Sequence, residues 1–370
     1  MNDDLFPKRL TRRDFIFSAA AAGLGAAACR SERGGFAGDP AKPAVRLGSG
    51  DHTYELDADW GRLPEGMKYG FGCGVIVDGQ DRVFVTSRSA HPCVAIFDRH
   101  GNLLETWSEE FAGEVGYTAA QVADTAHGLY WSRENGREYL YWTENISTNK
   151  SGSKFGARVY KTDLRGKVLY QIGKVAAENS TSQKFDWESP TDIAVAPNHD
   201  IYVVDGYGSQ RVTRLDKNFK PLRTIGGPGT EGGKFNVCHG IWVNTLKGGE
   251  PEVYIADRQN GRIQVFDLEL NHKRNLEGMV RNPCCFYQHK GYLYIPDLAS
   301  RVTILDAEDN VAIHLGDGKE ADGTTNRPDS QTNPALFAAP HALAVDSKGN
   351  LYVVEWISFG RPRRFKPVPA

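Results

Sequence analysis

Three histidines, His127, His239 and His341, each open an apolar run: HGLYWS, HGIWVN and HALAVD. They lie 112 and 102 residues apart, so the spacing is nearly even. A single histidine at the start of a strand is usually a hydrogen-bonded wall residue. Three in one slot of a repeated unit suggest more, because imidazoles converging on a point offer three facial ligands to one metal and leave coordination positions open, as in a catalytic zinc site. Imidazole also suits iron, copper or nickel, so the residues alone leave the metal open. A second recurring slot, after the second apolar run of each copy, carries Arg88, Glu144, Asp205-Gly206-Tyr207, Asp257-Arg258, Asp297 and Glu355-Trp356. Arg88, Arg258 and Tyr207 beside a cation suit an anionic substrate, since guanidinium grips carboxylates in bidentate fashion. The acids have a humbler reading: they recur at one repeat position and are expected to hold turn amides.

The elements that must position these residues are strands. Between Phe185 and Asp267 one motif is written twice: an apolar strand (DIAVA, GIWVN), a turn, a second strand ending in an acid (IYVVD, VYIAD), a glycine-containing bend and a third strand (RVTRLD, RIQVFD). One such antiparallel sheet cannot bury both faces, so copies must stack. Six copies can be aligned, beginning near Phe71, Ala126, Asp192, Gly240, Pro283 and Pro340. The expected fold is all-β, a six-bladed β-propeller over residues 51–370. The sixth copy lacks a last strand, and HTYELDADW (His52 to Trp60) is expected to supply it and close the ring, leaving no edge unpaired. The slot before each first strand reads Cys73, His127, Thr191, His239, Cys284, His341. Alternate blades of a six-fold ring lie a third of a turn apart, so the histidines should meet at the mouth of the central channel, with Cys73 and Cys284 as small lining residues between them. Ser108 to Thr125, Lys174 to Glu188, Gly227 to Val237 and Asp317 to Ala339 read as polar loops between blades.

The chain has 370 residues, 40% hydrophobic and 24% charged, with a formal net charge of −2. Near-neutral charge without a basic run argues against a nucleic-acid partner. Residues 1–30 differ: Arg12-Arg13-Asp14-Phe15 ahead of FSAAAAGLGAAAC reads as a twin-arginine signal, so the protein is expected in the periplasm or on the outer face of the cell membrane. Cys29 is either acylated, which would be the one membrane attachment, or follows a plain cleavage site, the reading favoured here. Residues 31–50 read as a flexible tether. The five remaining cysteines are odd in number, so no complete disulfide framework is expected. A monomer is expected.

PTDIAV, VDGYGSQR, HGIWV and ADRQNGRIQVF resemble the catalytic core of peptidylglycine α-amidating lyase, within the NHL-repeat propellers. The resemblance runs over all six blades and is densest in the third and fourth. It implies His127, His239 and His341 as zinc ligands, Tyr207 as general base and Arg88 and Arg258 as active-site arginines. It implies cleavage of a peptidyl-α-hydroxyglycine at its C–N bond to a peptide amide and glyoxylate, hence a peptide or other small carboxylate-bearing substrate. It also implies a structural calcium on the backbone carbonyls of Val75 and Leu129 with an aspartate after the third histidine. That residue is Ala342 here, and the cysteine expected after Tyr207 is Gly208. Two further readings stand beside a metal-dependent lyase. One is a non-enzymatic NHL-repeat propeller acting as an extracytoplasmic binding module. The other is a calcium lactonase of gluconolactonase type, against which three axial histidines argue and for which Glu144 with Asn145 is too little.

Overall fold

The computed structural model describes residues 44–148, 154–173, 182–317, 335–358 and 360–369. Within them the chain forms a six-bladed propeller. The first blade is Gly72–Val77, Val83–Ser87, Val94–Phe97 and Leu103–Trp107. The second is Ala126–Glu134, Arg137–Glu144, Arg158–Thr162 and Val168–Gly173, with Ser182–Lys184 added in parallel at its edge. The third and fourth, Asp192–Val195 to Pro221–Gly226 and Cys238–Asn244 to His272–Glu277, are regular four-stranded meanders, and so is the fifth, Tyr287–His289 to Val311–Leu315.

The sixth blade shows how the ring closes. Pro340–Val345, Leu351–Glu355 and Arg363–Pro367 come from the C-terminus, and Tyr54–Asp57 pairs antiparallel with the last of these, Tyr54 opposite Pro367 and Asp57 opposite Arg364. The N-terminal strand therefore closes the ring as the sequence reading expects. Pairing also begins earlier than residue 51: Arg46–Leu47, inside the stretch read as a tether, lies against Tyr54–Asp57 as a fifth strand. Residues 1–30, with Cys29, lie outside the described residues.

Second strands such as Ile201–Asp205 and Leu351–Glu355 are buried at every residue, because each is sandwiched between two neighbouring blades. Outer strands such as Pro221–Gly226 face water. The core is accordingly divided. Among the described residues six hydrophobic clusters are found, one at each junction between blades, the junction of blades six and one included.

The expected polar loop from Ser108 to Thr125 is instead two short helices, Glu109–Glu114 and Ala119–Thr125, the second opened by a capping box between Thr118 and Gln121. Phe111, Ala112, Val115, Ala119 and Val122 pack on Trp107, Trp142 and Tyr160, which a connector without an apolar face could not do. Of the expected loop from Lys174 to Glu188, residues 174–181 lie outside the described residues, and the rest begins with the strand Ser182–Lys184, paired to the edge of the second blade rather than left as loop. The loop from Asp317 to Ala339 lies largely outside the described residues.

Candidate metal centre

Each histidine sits where the pairing of the first and second strands is interrupted. The register shifts between Ala126 and Leu129, between Cys238 and Ile241, and between Pro340 and Ala342. A bulge at that point re-aims a side chain that a regular ladder would direct into the blade interface. The three rings come together on the axis: centroids are 4.8 Å apart for His127 and His239 and 5.0 Å for each of the other two pairs. Their ligand atoms lie within 4.8 Å of one another, and all three residues are buried.

A hydrogen bond fixes which nitrogen faces the axis. Nδ1 of His127 lies 2.7 Å from the Thr191 carbonyl, Nδ1 of His239 is 2.7 Å from the Cys284 carbonyl, and Nδ1 of His341 is 2.8 Å from the Cys73 carbonyl. A carbonyl only accepts, so each Nδ1 carries the proton and each Nε2 presents a lone pair. The acceptors are the slot residues of the three alternate blades. Nε2 of His127 and of His341 has no hydrogen-bond partner although buried, and that of His239 lies 3.0 Å from the Tyr207 hydroxyl. Orphaned buried acceptors are costly in a native protein unless something occupies them. Burial, with Arg88 and Arg258 nearby, holds His127 and His239 well below the usual histidine pKa, and His341 falls to about 3. Three neutral imidazoles whose Nε2 atoms face one point, two of them without a partner, form a donor set that fits a metal ion.

The second slot is held by a repeated backbone contact. The N–H of Arg88 donates to Phe71, Asn145 to Thr125, Tyr207 to Ser189, Arg258 to Val237, Leu298 to Asn282 and Trp356 to Ala339, in each case to the carbonyl two residues before the first slot. These six residues thereby ring the mouth beside the histidines. Arg88 is clamped, with Nη2 donating to Asn145 at 3.0 Å and its guanidinium 5.0 Å from the Trp356 ring centre. Arg258, which is buried, donates from Nη1 to the Tyr207 hydroxyl at 2.9 Å. Neither arginine has a carboxylate within ion-pair distance among the described residues, and Nε of both is buried without a partner. Two uncompensated guanidiniums beside a cation site are suited to an anion.

Tyr207 is 41% exposed overall, yet its hydroxyl points inward to His239 and Arg258. Burial of that hydroxyl raises its pKa above the ordinary tyrosine value, and the opposing pull of Arg258 and Arg88 is the smaller effect. The protein's own groups therefore do not lower it.

The acids take the humbler role. Asp205 accepts from the amides of Glu188 and Ser189, Asp257 from Asn236, Asp297 from Arg281 and Asn282, and Glu355 from Ala338. Glu144 is taken up by Arg158 at 2.8 and 3.0 Å, which removes the acid that a lactonase reading would need. Val75 and Leu129 border the channel directly beyond the histidines, and Ala342 brings no oxygen there. The layer after the slot does hold one acid, Asp192, which sequence reasoning passed over. Its signal was present, since the positions after the six slots read Gly74, Gly128, Asp192, Gly240, Cys285 and Ala342. Asn145 and Trp356 as the clamp on Arg88 were also missed. All five described cysteines are free.

No family model matches the chain. It is similar to NHL repeat-containing protein 3 of Homo sapiens, 28% identical over 219 residues, covering 58% of this chain and 57% of that one. It is also similar to peptidylglycine alpha-amidating monooxygenase of Rattus norvegicus, 25% identical over 236 residues, 60% of this chain and 23% of that protein. A probable peptidyl-alpha-hydroxyglycine alpha-amidating lyase of Caenorhabditis elegans is 28% identical over 134 residues, 35% of each chain. The chain thus spans under three-fifths of the length of the curated relatives it matches. Among solved structures, a streptogramin B lyase superposes with a TM-score of 0.51 at 11% identity, covering 87% of this chain and 98% of that one. A gluconolactonase from Xanthomonas campestris gives 0.52 at 12%, covering 90% and 99%. At such identities these structures bear on the fold alone.

Proposed function

We propose that the chain is an exported, zinc-dependent carbon–nitrogen lyase acting on a peptidyl-α-hydroxyglycine or a similar small carbinolamide with a carboxylate. The observation that carries this reading is the set of three Nε2 atoms facing one point, two of them without any partner, with two uncompensated arginines beside them. The named lyases among the similar proteins support the substrate class, and the two arginines support its carboxylate.

His127, His239 and His341 would hold the zinc, which when bound supplies a Lewis acid for the carbinol oxygen. Arg88 and Arg258 hold the carboxylate; Arg88, stacked on Trp356 and fixed by Asn145, is already oriented for it, so little side-chain entropy is lost on binding. Tyr207 stands within hydrogen-bond reach of both His239 and Arg258, where it takes the hydroxyl proton and returns it to the departing amide nitrogen. Its phenolate must be favoured for that, and every positive charge at the mouth acts in that direction against burial.

The test is elemental analysis of the purified protein beside its His239→Ala variant, followed by a glyoxylate assay with a peptidyl-α-hydroxyglycine. We expect about one equivalent of zinc in the wild type, lost in the variant together with glyoxylate release. Absence of metal from the wild type after incubation with zinc would favour the second reading, a propeller that binds without catalysis.

A further inference from the structure

Beyond the histidine layer, on the side away from Arg88, Tyr207 and Arg258, the channel widens into a cavity of about 400 Å³ with the three histidines at its inner end. That volume lies in the range of small-ligand pockets. Tyr130, Trp242 and Tyr287 form an aromatic wall, with ring centres 5.5 Å apart for Tyr130 and Trp242 and 5.8 Å for Trp242 and Tyr287. Nε1 of Trp242 is buried without a partner.

Asp192 is the acid of this cavity. Packing explains the small residues at its equivalents: a Cβ on Gly128 would collide with the Thr143 hydroxyl, and one on Gly240 with the Cys284 carbonyl. Five blades therefore fold with Gly, Cys or Ala at this position, and a carboxylate in the sixth case is not required by the architecture. Asp192 accepts from the Ile241 amide at 3.1 Å and lies near the amide of Ile193. No lysine, arginine or histidine is within ion-pair distance of it among the described residues. Arg133, at the cavity wall, is already paired with Glu138 at 2.8 Å. Desolvation pushes the Asp192 carboxyl up to about 7, as expected of an anion short of compensation. A cation with an apolar body would supply that compensation and meet ring faces at the same time.

We propose that this cavity is a second binding site, separate from the metal centre, for an apolar amine: Asp192 receives the ammonium group and the Tyr130, Trp242 and Tyr287 wall receives the hydrocarbon or aromatic body. The site is open on the channel side and does not depend on metal at the histidines.

Three probes of matched shape test it by titration calorimetry: 2-phenylethylamine, 2-phenylethanol and 3-phenylpropionate. Each is measured on the wild type, on Asp192→Asn and on wild type stripped of metal with a chelator. The amine should bind the wild type at least tenfold more tightly than the carboxylate does. Asp192→Asn should weaken the amine at least tenfold and leave the alcohol unchanged, which also shows the cavity intact, and the metal-stripped wild type should bind the amine as the untreated protein does. The proposal is overturned by an amine that does not bind, that binds no better than the carboxylate, or that is indifferent to Asp192→Asn. Equal loss of amine and alcohol in Asp192→Asn, loss of the amine on stripping the metal, or displacement of the amine by equimolar calcium chloride would overturn it too. The metal-stripped arm, which leaves every lining side chain in place, separates this site from the metal centre, so either reading can fail without the other.

Discussion

On the mouth side of the histidines the six blades present Arg88, Asn145, Tyr207, Arg258, Leu298 and Trp356, and on the channel side Gly74, Gly128, Asp192, Gly240, Cys285 and Ala342. Both rings are repeat positions on the same scaffold, separated in each blade by 13 residues (Cys285 to Leu298) to 18 residues (Gly240 to Arg258). The mouth residues are anchored through backbone N–H groups, so their side chains are free to differ, and they carry chemistry: two guanidiniums, a phenol, an amide and an indole. The channel residues face the neighbouring blade, where a Cβ often has no room, so most are small. Diversity on one side costs nothing in packing. On the other side a single charged residue stands out because the surroundings select against it.

This comparison can be broken most severely at the mouth. Tyr207→Phe removes only a hydroxyl, and turnover should fall about a hundredfold or more, as for loss of an acid–base group. Zinc content should stay at the wild-type level. Unchanged turnover would take Tyr207 out of the mechanism and leave the mouth a binding surface.

A smaller effect is expected from Arg258→Lys, which keeps the charge but loses the planar fork. Steady-state kinetics should show kcat/KM lowered roughly tenfold, mostly through KM, because a point charge replaces a bidentate grip. A variant with wild-type KM would move the carboxylate to Arg88 alone.

The channel side should answer in stability instead. The Asp192 carboxyl lies near 7 in the folded protein against 3.8 in an ordinary aspartate, so the native state binds the extra proton between those values. Stability contributed by the protonated group is present below about pH 4 and is lost as pH rises toward 7. Asp192→Asn lacks this dependence, so its melting temperature should gain on the wild type from pH 4 to 7 and hold a constant lead above, worth a few kcal/mol at most. Parallel melting curves at all pH values would mean that Asp192 is better compensated than its neighbours indicate.

Much of this site was legible beforehand because repetition multiplies weak signals. One histidine at a strand start says little, whereas His127, His239 and His341 in alternate copies of an aligned unit say which blades face each other. The ring closure was legible for the same reason: a sixth copy short of a strand and a lone strand upstream, Tyr54–Asp57, are complementary. Irregular insertions were less readable. The helices Glu109–Glu114 and Ala119–Thr125 occur in one blade, so no second copy reinforced their pattern, and their apolar face became evident when Trp107, Trp142 and Tyr160 gathered beneath it. Asn145 and Trp356 were invisible as partners of Arg88 because they come from different blades.

The sequence by itself determined the strands, their number and grouping, and the residue types at each slot, since alternation, turns and repeat spacing are local properties of the chain. Closure of the ring decided the rest, by bringing residues more than a hundred positions apart within 5 Å of one another. That Nε2 rather than Nδ1 faces the axis depends on the carbonyls of Cys73, Thr191 and Cys284, and every residue type has a carbonyl, so no reading of side chains could have shown it. The raised pKa of Asp192 likewise belongs to the fold, because desolvation is a property of what surrounds a group and not of the group.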